Sequence, residues 1–278
     1  MRDLSAEDFA FIARLLHRRS GVVLTPDKAG LAGGRLNSVL YRFGLKDVAH
    51  LVRELRLGND SLAAALAEAI TINDSSFFRG ESQFDALRRL LPKILAARTQ
   101  SKRLRIWSAA CAAGQEAYSI AMMLDEFGLL WQGWTIDLIA TDLSGEALAR
   151  AEKGQFTPFE VRHGLSAEQL ARCFVSENGG YTVTPRLRRM VKFRRFNLLD
   201  SYGWLDELDL VFCRNVLIYF DRATKSDILE RIAGCMCEDG LLLLGEAESP
   251  QGITPVFRDI PGHANIAVKA EVRLRAAG

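Results

Sequence analysis

One stretch limits what this chain can fold into more than any other. Residues 103–124 read RLRIWSAACAAGQEAYSIAMML, and residues 134–142 read WTIDLIATD. Leu104, Ile106 and Ser108 alternate with Arg105 and Trp107, the period of a β-strand. Ala109, Ala110, Ala112, Ala113 and Gly114 then form a small-residue turn that leaves room for a ligand to approach the backbone. Ile120, Met123 and Leu124 recur at helical spacing over residues 115–124. Residues 134–140 are a second apolar strand, with Asp142 just past its end. Strand, helix and strand in this order predict a parallel βαβ unit. In open α/β sheets the ligand crevice lies outside the carboxyl ends of the strands, where an acid can accept hydrogen bonds from a ribose diol.

The turn holds four Ala and one Gly and no G-x-G-x-x-G pattern. A pyrophosphate needs close approach to backbone N–H groups, so a dinucleotide is disfavoured and a nucleoside without phosphates fits better. S-adenosylmethionine is such a ligand. An ordinary βαβ unit with no ligand gives the same order of elements, so this stretch alone leaves both readings open.

Upstream, the pattern is helical. Ser5 with Asp8 resembles a capping box ahead of the apolar stripe Phe9, Ile12, Ala13 and Leu16, and Gly21 is a stop. Residues 28–43, 46–57 and 61–70 predict three more helices. The change from this region to βα alternation marks a domain boundary. Seven arginines (14, 18, 19, 35, 42, 53 and 56) make the region locally basic, a solvated face or a docking surface for an acidic partner. TINDSSFFRG, residues 71–80, either caps a helix through Asp74 or Ser75 or forms a ligand-covering loop with polar tips and two Phe anchors. Residues 81–97 predict a helix broken or bent at Pro92. Ser144 caps the helix that follows the second strand. Asn178-Gly179-Gly180 before the run 181–184 predicts a small inserted β-hairpin. Residues 191–196, 208–213 and 241–244 predict further strands, and 257–260 with 265–269 a closing antiparallel pair.

A net charge of +2 gives no argument for nucleic acid or membrane, and the longest apolar runs, such as residues 241–244, are too short to span a bilayer. A charged start without an apolar segment points to a cytoplasmic protein. The five Cys form no C-x-x-C pair and the four His are isolated, so no metal is assigned.

TINDSSFFR, SAACAAGQEAYSIAM, ATDLS, FNLLD and DLVFCRNVLIYFD occur in this order and spacing, and together they resemble the CheR family of chemotaxis receptor methyltransferases over about residues 5–270. The resemblance implies an α/β fold: a Rossmann-like class I methyltransferase sheet with an N-terminal helical domain (1–72) and a linker loop and helix (73–98). The methyltransferase domain then spans 99–278 and carries an inserted β-subdomain at about 172–190. It implies methyl transfer from S-adenosylmethionine to glutamate side chains on the cytoplasmic helical bundle of chemoreceptors, leaving S-adenosylhomocysteine. Docking would use the basic N-terminal helices and the β-subdomain, by a monomer that engages no nucleic acid and inserts in no membrane. By motif, Asn73, Ser75 and Arg79 resemble the loop closing over the cofactor, and Glu116 the acid at its methionine amino end. Asp142 resembles the ribose acid, and Asn197 with Leu198 the adenine contact. Arg214 and Asn215 complete the pocket, with Arg79 and Tyr219 beside the transferring methyl. Ala110, Gln115 and Ala117 stand where the family has Gly, Glu and Pro, and Ser75 where it has Thr. These departures motivate a second reading, a cofactor-binding regulator without efficient transfer.

Overall fold

The computed structural model describes residues 5–25, 33–71 and 74–270. The chain begins with helices α1 (Ala6–Ser20), α2 (Gly33–Arg42), α3 (Val48–Arg56) and α4 (Asp60–Ile70). Ser5 accepts from the Asp8 N–H at the start of α1, and Gly21, at φ 73°, ends it. Asp47 and Asn59 cap α3 and α4 in the same way. Ile12, Leu16, Leu36, Leu51, Leu62 and Leu66 close these helices around a core of their own.

Helix α5 (Glu81–Ala97) leads into the sheet. It runs through Pro92, where the sequence predicts a break. Leu87, Leu91 and Ile94 are buried on both sides of the lost hydrogen bond and hold the helix across it. Its N-cap is Gly80 in the left-handed region, so neither Asp74 nor Ser75 is the cap.

Next come β1 (Arg103–Ala109), α6 (Gln115–Glu126), β2 (Thr135–Asp142) and α7 (Gly145–Lys153), the last capped by Ser144 as expected. The insertion follows, with β3 (Gln155–Phe156), α8 (Pro158–Arg162), α9 (Ala167–Cys173), β4 (Phe174–Glu177), β5 (Gly180–Val183) and α10 (Pro185–Arg188). The chain finishes with β6 (Val191–Arg195), β7 (Leu208–Cys213), α11 (Arg222–Cys235), β8 (Met236–Leu244), β9 (Phe257–Ile260) and β10 (His263–Lys269).

The main sheet has the order β6-β2-β1-β7-β8-β10-β9. β6, β2, β1, β7 and β8 pair in parallel, and β10 is antiparallel to both β8 and β9. Side chains alternate between its two faces. Leu104, Ile106, Leu210 and Phe212 meet α5 and α6, whereas Trp107, Val211 and Cys213 meet α11. β7 is buried at every residue, as a central parallel strand requires. The order reverses at the β1–β7 boundary, which opens a crevice above the carboxyl ends of those strands.

The inserted sheet has the order β3-β5-β4, so it takes in residues 155–156, upstream of the hairpin read from the sequence. Asn178 and Gly179 both hold positive φ at the hairpin tip, which suits a tight two-residue turn. Phe77, from the loop before α5, is buried in this subdomain. Its ring meets Phe156 edge-on at 4.9 Å and Phe174 at 5.5 Å, pairs worth about 0.5–1.5 kcal/mol each beyond burial. Gly164 packs so closely that a Cβ there would lie 1.8 Å from the Phe77 carbonyl oxygen.

Contacts along one side of the helical region fasten it to the sheet. Val22 bridges Phe220, Asn197 Nδ2 donates to the Arg19 carbonyl at 2.6 Å, and His17 meets Asp221 at 2.6 Å. The Glu68 carboxylate accepts from the Glu146 N–H at 3.1 Å and pairs with Arg195 at 3.4 Å. Among the described residues, no helix is long and apolar enough to cross a membrane.

Gly164→Ala is expected to cost about 2–4 kcal/mol, since the clash is with backbone and φ is +97°. Urea denaturation checks this, with a loss below 1 kcal/mol counting against the packing described.

Candidate active site

The crevice is a single cleft. Ser75, Arg79, Glu116, Asp142, Asn197, Leu198, Arg214, Asn215 and Tyr219 all line it, so residues from five segments of sequence meet there. Asn73 lies outside the described residues.

Asp142 is the last residue of β2, within the strand rather than just past its end, and is 6 % exposed. Its Oδ2 accepts from the Ala112 N–H at 2.8 Å and its Oδ1 from the Ser144 N–H at 2.8 Å. The acid therefore shapes the small-residue turn opposite and retains a lone pair on each oxygen for a diol. Ala110 and Ala112 take positive φ (58° and 50°), which costs a residue with a Cβ about 1 kcal/mol or more. The Cys111 N–H bond to the Thr141 carbonyl at 2.9 Å helps to hold them there.

Glu116 sits in the first turn of α6. Ser108 donates to its Oε1 at 2.7 Å and Arg214 to its Oε2 at 3.1 Å. Burial pushes the carboxyl above its ordinary value, with the Arg214 charge and the Ser108 hydrogen bond opposing. Burial likewise raises Asp142, against the backbone donors of Ser144 and Ala112. The Arg214 guanidinium also donates to Gln83 Oε1 at 2.9 Å and to the Arg79 carbonyl. Asn197 uses its amide within the protein, donating to Arg19 and accepting from the Leu199 N–H at 3.1 Å. Arg79 is exposed and donates to the Asp74 carbonyl at 3.1 Å. Tyr219 is half-buried, and burial raises its phenol while Arg79 and Arg35 pull it down.

Sequence reasoning missed several parts of the site. Val22, Val23 and Leu24, just after α1, form one wall together with Phe196. Arg35 of α2 reaches the rim, where it donates to the Thr71 carbonyl at 2.6 Å. Glu248 stands behind the wall that includes Asn215 and Tyr219, accepting from the Asn215 and Ile218 N–H groups.

The chemistry of this cleft suits S-adenosylmethionine. A buried acid at the end of β2 matches a ribose diol, and the Glu116–Arg214 pair offers opposite charges to an amino-acid zwitterion. Val22, Leu24, Phe196 and Leu198 give an apolar slot for a base, and the Cβ-bearing turn at Ala110 and Ala112 is a poor cradle for pyrophosphate. Among the described residues, no cluster of three or more His, Cys, Asp or Glu could hold a metal ion.

Sheet order, insertion and cleft define a class I, S-adenosylmethionine-dependent methyltransferase. Residues 7–71 match the CheR methyltransferase all-alpha domain, and residues 73–266 match the CheR methyltransferase SAM binding domain. The chain is 38% identical over 271 residues to chemotaxis protein methyltransferase 1 of Pseudomonas aeruginosa, covering 95% of this chain and 98% of that one. It is 36% identical over 272 residues to chemotaxis protein methyltransferase Cher2 of Pseudomonas putida, with the same coverage. It is 34% identical over 253 residues to the chemotaxis protein methyltransferase of Escherichia coli, covering 88% of this chain and 85% of that one. The chain belongs to the CheR methyltransferase family. It is an enzyme that uses S-adenosylmethionine as methyl donor.

The raised carboxyls set the sign of a pH effect. They bind protons more readily in the folded chain than in the unfolded one. Their burial therefore costs the free protein stability as pH rises from each group's ordinary value to its folded value, and no more above it. Protonating Glu116 removes the charge available to an ammonium. Affinity for S-adenosylhomocysteine is therefore expected to fall as pH is lowered from neutrality toward 4.5, starting above the ordinary carboxylate range. Calorimetric titration across that range checks it, with flat affinity to pH 4.5 as the contrary result.

Proposed function

We propose that the enzyme methylates glutamate side chains of chemotaxis receptors, giving carboxyl methyl esters. Membership of a family whose relatives are chemotaxis protein methyltransferases carries this reading. The roles proposed within the cleft follow from its layout. Asp142 takes the ribose hydroxyls, and Glu116 with Arg214 the amino-acid end. Leu198 and the backbone at Asn197 border the adenine, because the Asn197 amide is engaged with Arg19 and Leu199. Asn73, Ser75 and Arg79 belong to the covering loop, and Asn215 closes the wall opposite. Domain limits at 72/73 and 98/99, with the insertion inside the last domain, are part of the same proposal.

When bound, S-adenosylmethionine supplies a methyl group on a positively charged sulfonium. The acceptor carboxylate, with an ordinary pKa near 4.3, is ionised at neutral pH, so the protein has no need of a general base. Its own contributions are orientation and the exclusion of water from a reaction in which opposite charges neutralise. Arg79, exposed at the rim, holds the incoming carboxylate, and Tyr219 walls the site beside it. Docking of the receptor helices falls to exposed basic side chains of α1–α3, among them Arg14, Arg18 and Arg53, since Arg19 and Arg56 are paired with Asp60 and with Glu7 and Asp8.

The direct test uses methyl-labelled donor and membranes carrying the organism's own receptors. Label is expected in the receptor and should leave as methanol in mild base. Absence of label despite tight S-adenosylhomocysteine binding would favour the regulator reading. Arg79→Ala is expected to lower turnover about 10–100-fold while changing S-adenosylhomocysteine affinity less than about threefold. An unchanged rate would remove Arg79 from the mechanism.

A further inference from the structure

Glu248 lies in the loop after β8 and is 6 % exposed. Its Oε2 accepts from the Gly245 N–H at 2.6 Å and the Asn215 N–H at 2.7 Å, and its Oε1 from the Ile218 N–H at 3.2 Å. The last two donors belong to the irregular segment after β7, where Asn215 is held at φ 58° and residues 217–219 form a short 3-10 turn. Left without acceptors, buried N–H groups of this kind cost about 1–3 kcal/mol each. Only a carboxylate offers acceptors and no donors to all three, because an amide would turn N–H groups against N–H groups. The fit is closed from both sides. A Cβ on Gly245 would lie 2.6 Å from Glu248 Oε2 and 2.8 Å from the Asn215 nitrogen. Asn265, within β10, donates to the Glu248 carbonyl at 2.6 Å and fixes the backbone that carries the acid.

We infer that Glu248 is a positioning residue for methyl transfer, setting the Arg214–Asn215 and Tyr219 wall of the cleft through its hold on the backbone. This rests on the proposed roles of those three residues. Glu248 itself is absent from the cleft lining, so its effect must pass through them.

The test is Glu248→Gln, alone and combined with Asn215→Ala. Unfolding midpoints are measured with S-adenosylhomocysteine affinity and with kcat and donor KM on receptor membranes. The single variant is expected to fold, to bind about tenfold more weakly and to lose kcat as well. Asn215→Ala should then add little in that background, because both changes damage one wall. Wild-type affinity and kcat in folded Glu248→Gln, or full multiplication of the two effects, would overturn the inference. If Glu248→Gln does not fold, Glu248→Asp keeps the charge and shortens the reach, with about 3–10-fold weaker binding expected and wild-type binding contradicting it. Wild-type protein that bound S-adenosylhomocysteine yet esterified no receptor would sink the receptor reading, while the affinities would still decide the role of Glu248.

Discussion

The site depends on one buried cation. Arg214 leaves the end of β7 with its side chain almost wholly excluded from water, and such a charge persists only if its donors are matched. They reach Glu116 on α6, Gln83 on α5 and the Arg79 carbonyl in the loop before α5, while the guanidinium lies 5.6 Å from the Phe84 ring centre. A planar fork can serve three directions at once, and an ammonium on a flexible stem does so far less well. The need propagates outward. Gly80 has to lack a side chain because a Cβ would sit 2.5 Å from this guanidinium, and its left-handed conformation starts α5. The helix before the sheet, the helix after β1 and the loop over the cleft are thus referred to a single group.

The sequence revealed whatever depends on local pattern. The apolar runs of β1, β2 and β7, the small-residue turn and the acid at the end of β2 lie where periodicity and composition put them. Features that depend on long-range contact stayed hidden. Glu248 sits in a loop without periodicity and acts on residues 30 and 33 positions earlier. Asn197 spends its amide on a carbonyl 178 positions away, which no motif discloses. β3 has two residues, too few to alternate, and is defined only by its pairing with β5. Pro92 looks like a breaker until the burial on either side of it is known.

The three turn residues Ala110, Gln115 and Ala117 each have defined local surroundings. Ala110 is held in the left-handed region by the bonds around Cys111 and Asp142. Gln115 is buried and donates to Glu160 at 3.4 Å, whereas a glutamate there would set two acids against each other. Ala117 is wholly buried in the first turn of α6, where its small side chain packs against the core.

Phe77 carries a last consequence. It belongs to the loop that bears Arg79, yet its ring completes the core of an insertion more than seventy residues further along the chain. The insertion therefore shares one packed core with the loop before α5. A change of bulk at Phe156 or Phe174 has to be answered at Phe77, and with it in the path of Arg79. The outer face of the insert can change without reaching Phe77, while its inner face is tied by packing to the loop before α5.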